Sequence, residues 1–175
     1  MFNKTVKISF RKCVRHLLAP LALLLLLWGS GLQPASASSG TVQRASASSS
    51  GEQGNHSSTE PDMSGDGRYV VFTSTASNLV SGDTNRVADV FVFDRDTSDT
   101  VRVSVDSNGM QAGGSSLSPA ISDNGRYVAF ISGAANLVSG DNNGKNDVFV
   151  HDRETGEATR VVSSMLTATI FKRSP

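Results

Sequence analysis

Hydrophobic and polar positions along this chain fall into a pattern that is written twice. The string NLVSGDTNRVADVFVFDR, residues 78–95, returns as NLVSGDNNGKNDVFVHDR at residues 136–153. The offset of 58 residues holds without a gap through the neighbouring text, so that Ser64 answers to Ser122, Phe72 to Phe130 and Arg102 to Arg160. Each copy carries the same four strand signals. A short strand ends at the serine of PDMS (61–64) or PAIS (119–122). Asp66-Gly67 or Asn124-Gly125 follows, dipeptides that suit the positive φ of a two-residue hairpin loop. The second strand is RYVVFTS (68–74) or RYVAFIS (126–132), whose consecutive apolar residues predict cover on both faces. A loop of about 14 residues leads to the third strand, DVFVF (89–93) or DVFVH (147–151). The fourth lies around Val101–Val105 and Thr159–Val162. There Val101, Val103 and Val105 alternate with Arg102 and Ser104, which predicts a packed valine face and a solvated polar face.

The same register lays residues 41–47 on 99–105 and predicts a weak outer strand, with Val42, Ala45 and Ala47 on its packed side. Neither copy contains a helix pattern. The expected class is therefore all-β: two four-stranded antiparallel sheets of about 58 residues each, written as the blades of a β-propeller.

The blades do not occupy the whole chain. Lys4, Lys7, Arg11, Lys12 and Arg15 open it, an apolar run from Leu17 to Trp28 follows, and a small-residue stretch ends in Ala35, Ser36 and Ala37. That is the order of a secretory signal peptide, with cleavage expected after Ala37. The run has about 12 apolar residues and a spanning helix needs about 20, so no stable membrane insertion is expected after cleavage. The organisation expected is residues 1–37 signal peptide, 38–50 a Ser-rich lead-in with the weak outer strand, 51–106 first blade, 107–164 second blade and 165–175 a tail outside the repeat. The localisation that follows is extracytoplasmic, in a periplasm or secreted.

Losing the leader changes the charge. Five of the 16 Lys and Arg lie in it and none of the 16 Asp and Glu, so 11 basic residues face 16 acidic ones in the remainder. A net charge near −5 excludes a phosphate-backbone binder, and no nucleic-acid partner is expected. Cys13, the only cysteine, leaves with the leader, so no disulfide holds the exported protein together.

The strings MSGDGRYVVF and ISDNGRYVAF resemble the S-x-D-G-R-hydrophobic-A-F signature of the WD40-like repeats in TolB-type periplasmic propellers. NLVSGD-x-N followed by DVFV-x-DR is similar to a long-loop bacterial subgroup of them. The resemblance covers Thr41 to Val161. It implies a six- or seven-bladed fold used mainly as a binding scaffold; family members that are enzymes carry a separate hydrolase domain, as in prolyl-oligopeptidase-like peptidases. The departure lies in the count, since two blades are written where closed propellers have about 4–8. Leaving five to eight large side chains on the outer faces uncovered, at ~1.5–3 kcal/mol each, forfeits on the order of 10 kcal/mol, as much as a domain's whole stability. After Val161 the repeat gives way to VSSMLTATIFKRSP. The favoured expectation is a truncated reading frame. The competing one is a terminal strand from Thr167 to Phe171 that closes a homo-oligomer, three two-blade chains making six blades.

Candidate chemistry concentrates in the long loops. Asp83, Asn85 and Asp89, and again Asp141, Asn143 and Asp147, place oxygen ligands at positions one, three and seven, which suits a hard cation such as Ca²⁺. Asp94 and Asp152 stand at position twelve of an EF-hand-like count, but a strand from 89 to 94 carries Asp94 about 16 Å from Asp89, and Ala88 and Asn146 replace the glycine that loop needs at position six. Against calcium, the same residues cap turns through bonds to their own backbone. Asp94-Arg95 and Asp152-Arg153 are expected to form turns with a solvated arginine, and Arg68 and Arg126 to cover blade edges with their stems. His56 falls in a loop and His151 on a strand, neither beside a nucleophile, and no G-x-S-x-G, H-E-x-x-H or phosphate loop is present. The function expected is an exported, non-enzymatic propeller that binds a protein or a cell-envelope component, with no cofactor beyond a calcium ion in those loops. The alternative is a calcium-dependent, lectin-like propeller assembled from two-blade subunits.

Overall fold

The order of strands follows the repeat. A computed structural model describes residues 42–161, all within the unit Thr41–Pro175. The signal peptide assigned to 1–37 and the tail assigned to 165–175 lie outside the described residues. Eight strands run β1 Ser58–Met63, β2 Tyr69–Ser74, β3 Asp89–Asp94, β4 Thr100–Arg102, β5 Ser116–Ile121, β6 Tyr127–Ser132, β7 Asp147–Asp152 and β8 Ala158–Val161. They form two four-stranded antiparallel sheets in the sequential orders β1-β2-β3-β4 and β5-β6-β7-β8. The described residues contain no helix, and none that is long and apolar enough to cross a membrane. The chain is an all-β partial propeller of two blades.

Both blades repeat one register. Phe72 lies opposite Phe91 and Phe130 opposite Phe149, and each pair stacks, with ring centres 5.8 and 5.9 Å apart. The outer strands β1 and β5 each carry a bulge, between Thr59 and Asp62 and between Leu117 and Ala120. Glu60 and Ser118 sit there with positive φ, just before Pro61 and Pro119. Proline has no N–H for a ladder, so an edge strand with a bulge is where it fits.

Alternation along β2 and β3 gives the first blade two apolar faces. One, with Val71, Val90 and Val92, packs on Val128, Phe130 and Phe149 of the second blade. The linker seals this junction with Val103 and Ala112. The other face, with Phe72, Phe91 and Phe93, is closed by Ala76 and Leu79, and Ala45 of the lead-in packs beside them. Among the described residues, the second blade has only its inner face covered. On its far face Tyr127 is 39%, Ile131 38% and Val148 43% exposed, so the double cover expected for RYVAFIS is met on one side only.

Three local expectations are corrected. The hairpins are not two-residue loops: Ser64 N–H donates to Tyr69 O, leaving four residues between them, and only Gly67 and Gly125 have the positive φ that a two-residue type I′ turn needs at both central positions. The fourth strand keeps Val103 packed as expected but departs from the expected faces at its neighbours. Val101 is 45% exposed, whereas Arg102 is turned inward with a side chain only 10% exposed, because the carboxylates of the long loop draw it in. Residues 42–47 form no strand, only a bridge from Ala47 to Gln53, and Val42 is fully exposed.

Candidate functional site

The long loop of each blade folds back over the end of the third strand, which gathers its Asp and Asn side chains in one place. In the first blade Asn85 Nδ2 donates to Asp89 Oδ2 at 2.8 Å and to Ala112 O at 3.0 Å. Its Oδ1 accepts from Val87 N–H at 3.2 Å, the bond of an Asx turn. Asp89 is fully buried and also accepts from Ser104 Oγ at 2.6 Å. Arg102 Nη1 lies 3.4 Å from Asp83 Oδ1 and 3.7 Å from Asp89 Oδ2. Burial pushes both carboxyls above their ordinary range. For Asp89 the bonds from Ser104 and Asn85 and the Arg102 charge oppose that rise; for Asp83 the Arg102 charge alone does.

The second blade repeats the cluster in looser form. Arg160 Nη1 lies 2.9 Å from Asp141 Oδ1 and 3.6 Å from Asp147 Oδ2. Asn143 Nδ2 donates to Asp147 Oδ2 at 2.7 Å, and Asn143 Oδ1 accepts from Lys145 N–H at 2.7 Å. Asp147 is 23% exposed where Asp89 is wholly covered.

The six residues marked in the sequence therefore do come together in two triads, and each triad faces a guanidinium. Sequence patterning treated Arg102 as a solvated strand residue, although its return at Arg160, in step with both aspartates, was the available signal. Among the described residues, no three His, Cys, Asp or Glu side chains are grouped closely enough to hold a metal ion.

A second repeated pair also escaped that patterning. Arg68 grips Asp94 with Nε at 3.0 Å and Nη2 at 2.7 Å, and Arg126 grips Asp152 at the same two distances. These charge-assisted bonds hold both carboxyls well below their ordinary range. Asp94 and Asp152 thus close the hairpin base onto the third strand. Arg95 and Arg153 are not merely solvated, since each donates from Nη1 to a hairpin glycine, Gly67 O at 2.7 Å and Gly125 O at 2.5 Å.

Between the blades, Glu60 Oε2 accepts from Ser118 N–H at 2.8 Å and Asp62 Oδ2 from Ile121 N–H at 2.9 Å. Of the two histidines among the described residues, neither hydrogen-bonds to these clusters. His56 Nδ1 is 3.0 Å from Asn55 Oδ1 in an exposed loop, and His151 is buried on β7.

No protein-family model matches the chain, and no curated protein matches it in sequence. Among solved structures, TolB from Acinetobacter baumannii is similar over 62% of this chain and 22% of its own, at 15% identity and TM-score 0.40. The β-propeller domain of the trilobed protease from Pyrococcus furiosus is similar over 61% of this chain and 28% of its own, at 15% identity and TM-score 0.39. For the acylaminoacyl peptidase of Pyrococcus horikoshii the shares are 61% and 14%, at 17% identity and TM-score 0.40. TolB and β-propeller proteins are thus among the structures the chain is similar to, and it spans less than a third of each of these three.

Proposed function

We propose that this chain is an exported, non-enzymatic propeller module whose braced loops present a binding surface to a protein or a cell-envelope component. One observation carries the reading: in both blades the carboxylates that could do chemistry face arginine, Asp83 and Asp89 at 3.4 and 3.7 Å from Arg102 and Asp94 hydrogen-bonded to Arg68. Groups so paired stiffen the loops rather than exchange protons with a substrate. Export is supported by the leader, positive and then apolar, ending at Ala37.

Calcium belongs to the same question. A guanidinium facing Asp83 and Asp89 supplies the positive charge that a dication would bring, and a dication placed beside it would meet repulsion. The donor set as arranged does not fit calcium, and Arg102 and Arg160 take the ion's part in holding the loops. Calorimetry at millimolar Ca²⁺ is expected to show no heat of binding, and heat abolished by a chelator would return the loops to calcium.

Cell fractionation tests export. The product is expected outside the cytoplasm with its N-terminus at Ser38, and a chain retained uncleaved in the cytoplasm overturns that part. Cosedimentation with isolated cell envelopes tests the scaffold. Saturable binding, competed by unlabelled protein, is expected; non-saturable binding or none overturns it.

A further inference from the structure

The contact that joins the two blades has a knob and a socket. The knob is Tyr69, and the socket is Gly125 with Arg153, whose Nη1 donates to Gly125 O while its guanidinium carbon lies 4.0 Å from the ring centre. The ring lies so close over Gly125 that a Cβ on that residue would overlap it.

Both halves recur 58 residues away without a mate among the described residues. Tyr127 carries its neighbouring arginine just as Tyr69 does, with Arg126 5.0 Å and Arg68 4.9 Å from the respective ring centres, but Tyr127 is 39% exposed. At the other end Gly67, with φ +73°, has Arg95 bonded to its carbonyl. Space lies open above it: a Cβ there would meet only Arg95 Nη1 at 3.6 Å and Met63 Sδ at 3.8 Å.

We propose that copies of this chain associate head to tail, Tyr127 of one copy seating on Gly67 and Arg95 of the next as Tyr69 seats on Gly125 and Arg153 within the chain. The occupant is a second copy because the chain itself presents both partners of a contact it already makes. The surrounding apolar surface agrees. Around the knob lie exposed Ile131 and Val148. On the socket side a recess of about 180 Å³ opens beside Val70 and Phe72, lined also by Ala45, Thr59 and Pro61. Side-chain sizes shift in a complementary way. The knob face has Ile131 where the internal junction has Thr73, and the receiving face has Ala45 and Thr59 where the second blade has Val103 and Leu117.

The polar bonds do not all transfer. Ser118 and Ala120 stand where Glu60 and Asp62 tie the internal junction, so association between copies is weaker than docking within one. A contact of this kind joins unlike surfaces and builds a ring if its rotation closes. Two to four copies would give the about 4–8 blades of a closed propeller.

The test uses the purified full chain, in whatever N-terminally processed form it emerges, followed by sedimentation over a concentration series. Wild type is expected to associate reversibly. Tyr127→Ala should weaken association about tenfold or more, with an unchanged circular dichroism spectrum and, at dilutions where both are monomeric, an unchanged melting midpoint. Gly67→Asn should do the same, because asparagine tolerates a positive φ and its Cβ would meet its own copy only in ordinary contact, Arg95 Nη1 at 3.6 Å and Met63 Sδ at 3.8 Å, while its side chain fills the socket. The two variants mixed should form a one-to-one dimer and nothing larger, since one keeps the socket and the other the knob. A monomeric wild type, variants that associate like wild type, or a mixture that stays monomeric would each overturn the proposal.

Discussion

The guanidinium carbon of Arg153 lies 4.0 Å from the centre of the Tyr69 ring, so a side chain of the second blade caps an aromatic of the first. Beneath the same ring sits Gly125, with φ +70°. Gly125→Ala is expected to cost about 2–5 kcal/mol, because the new methyl both overpacks the ring and strains the backbone. Gly67→Ala, with the same backbone strain and no ring of its own chain above it, should cost the dissociated chain only about 1–2 kcal/mol. Urea denaturation of the two variants side by side measures the difference, and equal costs would mean that the Tyr69 contact adds nothing.

Much of this fold was legible because strand alternation and a 58-residue repeat are local properties of the text. DVFVF and DVFVH became β3 and β7, and RYVVFTS and RYVAFIS became β2 and β6. What the text concealed depends on partners distant in sequence. Arg102 reads as a polar residue on an open face until the loop brings Asp83 and Asp89 against it. Arg68 and Asp94 are 26 residues apart, and the hairpin alone joins them. Tyr127 and Tyr69 are the same residue in the same string. Only the presence of a blade beside one and not the other separates an exposed ring from a covered one. The Asp/Asn triads were found from spacing, but the charge at their centre was not.

Arg102→Met should be more damaging than Arg160→Met. The first leaves Asp83 and Asp89, with side chains 5% and 0% exposed, without a counter-charge, and breaking a buried pair costs about 3–5 kcal/mol. The second strands one covered carboxylate rather than two: Asp141 is 4% exposed, but Asp147, 23% exposed, can draw on water. The sign with pH follows from the raised carboxyls. A group that holds its proton more tightly when folded loses stability as pH rises from about 3.9 through its folded value. Without Arg102 that loss deepens, so Arg102→Met should be relatively less destabilised at pH 4 than at pH 7. Thermal melts at the two pH values decide it, and a penalty independent of pH would refute the assignment.

His151 occupies the place of Phe93, is buried, and its Nδ1 has no hydrogen-bond partner. Burial pulls its pKa down, Asp152 opposing that shift and Arg153 adding to it. A histidine held neutral in the fold contributes stability above the unfolded value of about 6.5, and that contribution is lost as pH falls below it. His151→Phe should flatten the pH dependence of the melting midpoint below about pH 6.5. It should also stabilise the chain at neutral pH by on the order of 1 kcal/mol, by removing an unsatisfied buried atom. A variant that is less stable at pH 7 and retains the acid slope would show that His151 is not the group titrating.

The forked pairs Arg68–Asp94 and Arg126–Asp152 act in the opposite sense to the buried triads. Their carboxyls are held below the ordinary range, first by the arginine bond and further by backbone N–H groups of the following turn. Stability from such a group is fully present above the unfolded value of about 3.9 and is lost as pH falls through the folded one. Replacing Asp94 by Asn keeps the shape and an acceptor but removes the charge. Asp94→Asn should therefore melt lower than wild type at pH 7, with the gap closing as the pH drops below about 4. The two blades provide an internal control, since Asp152→Asn removes the same bonds from the second hairpin and should give a curve of the same form. If either variant kept a constant gap down to pH 2, the turn bonds rather than the ion pair would be what closes the hairpin onto the third strand.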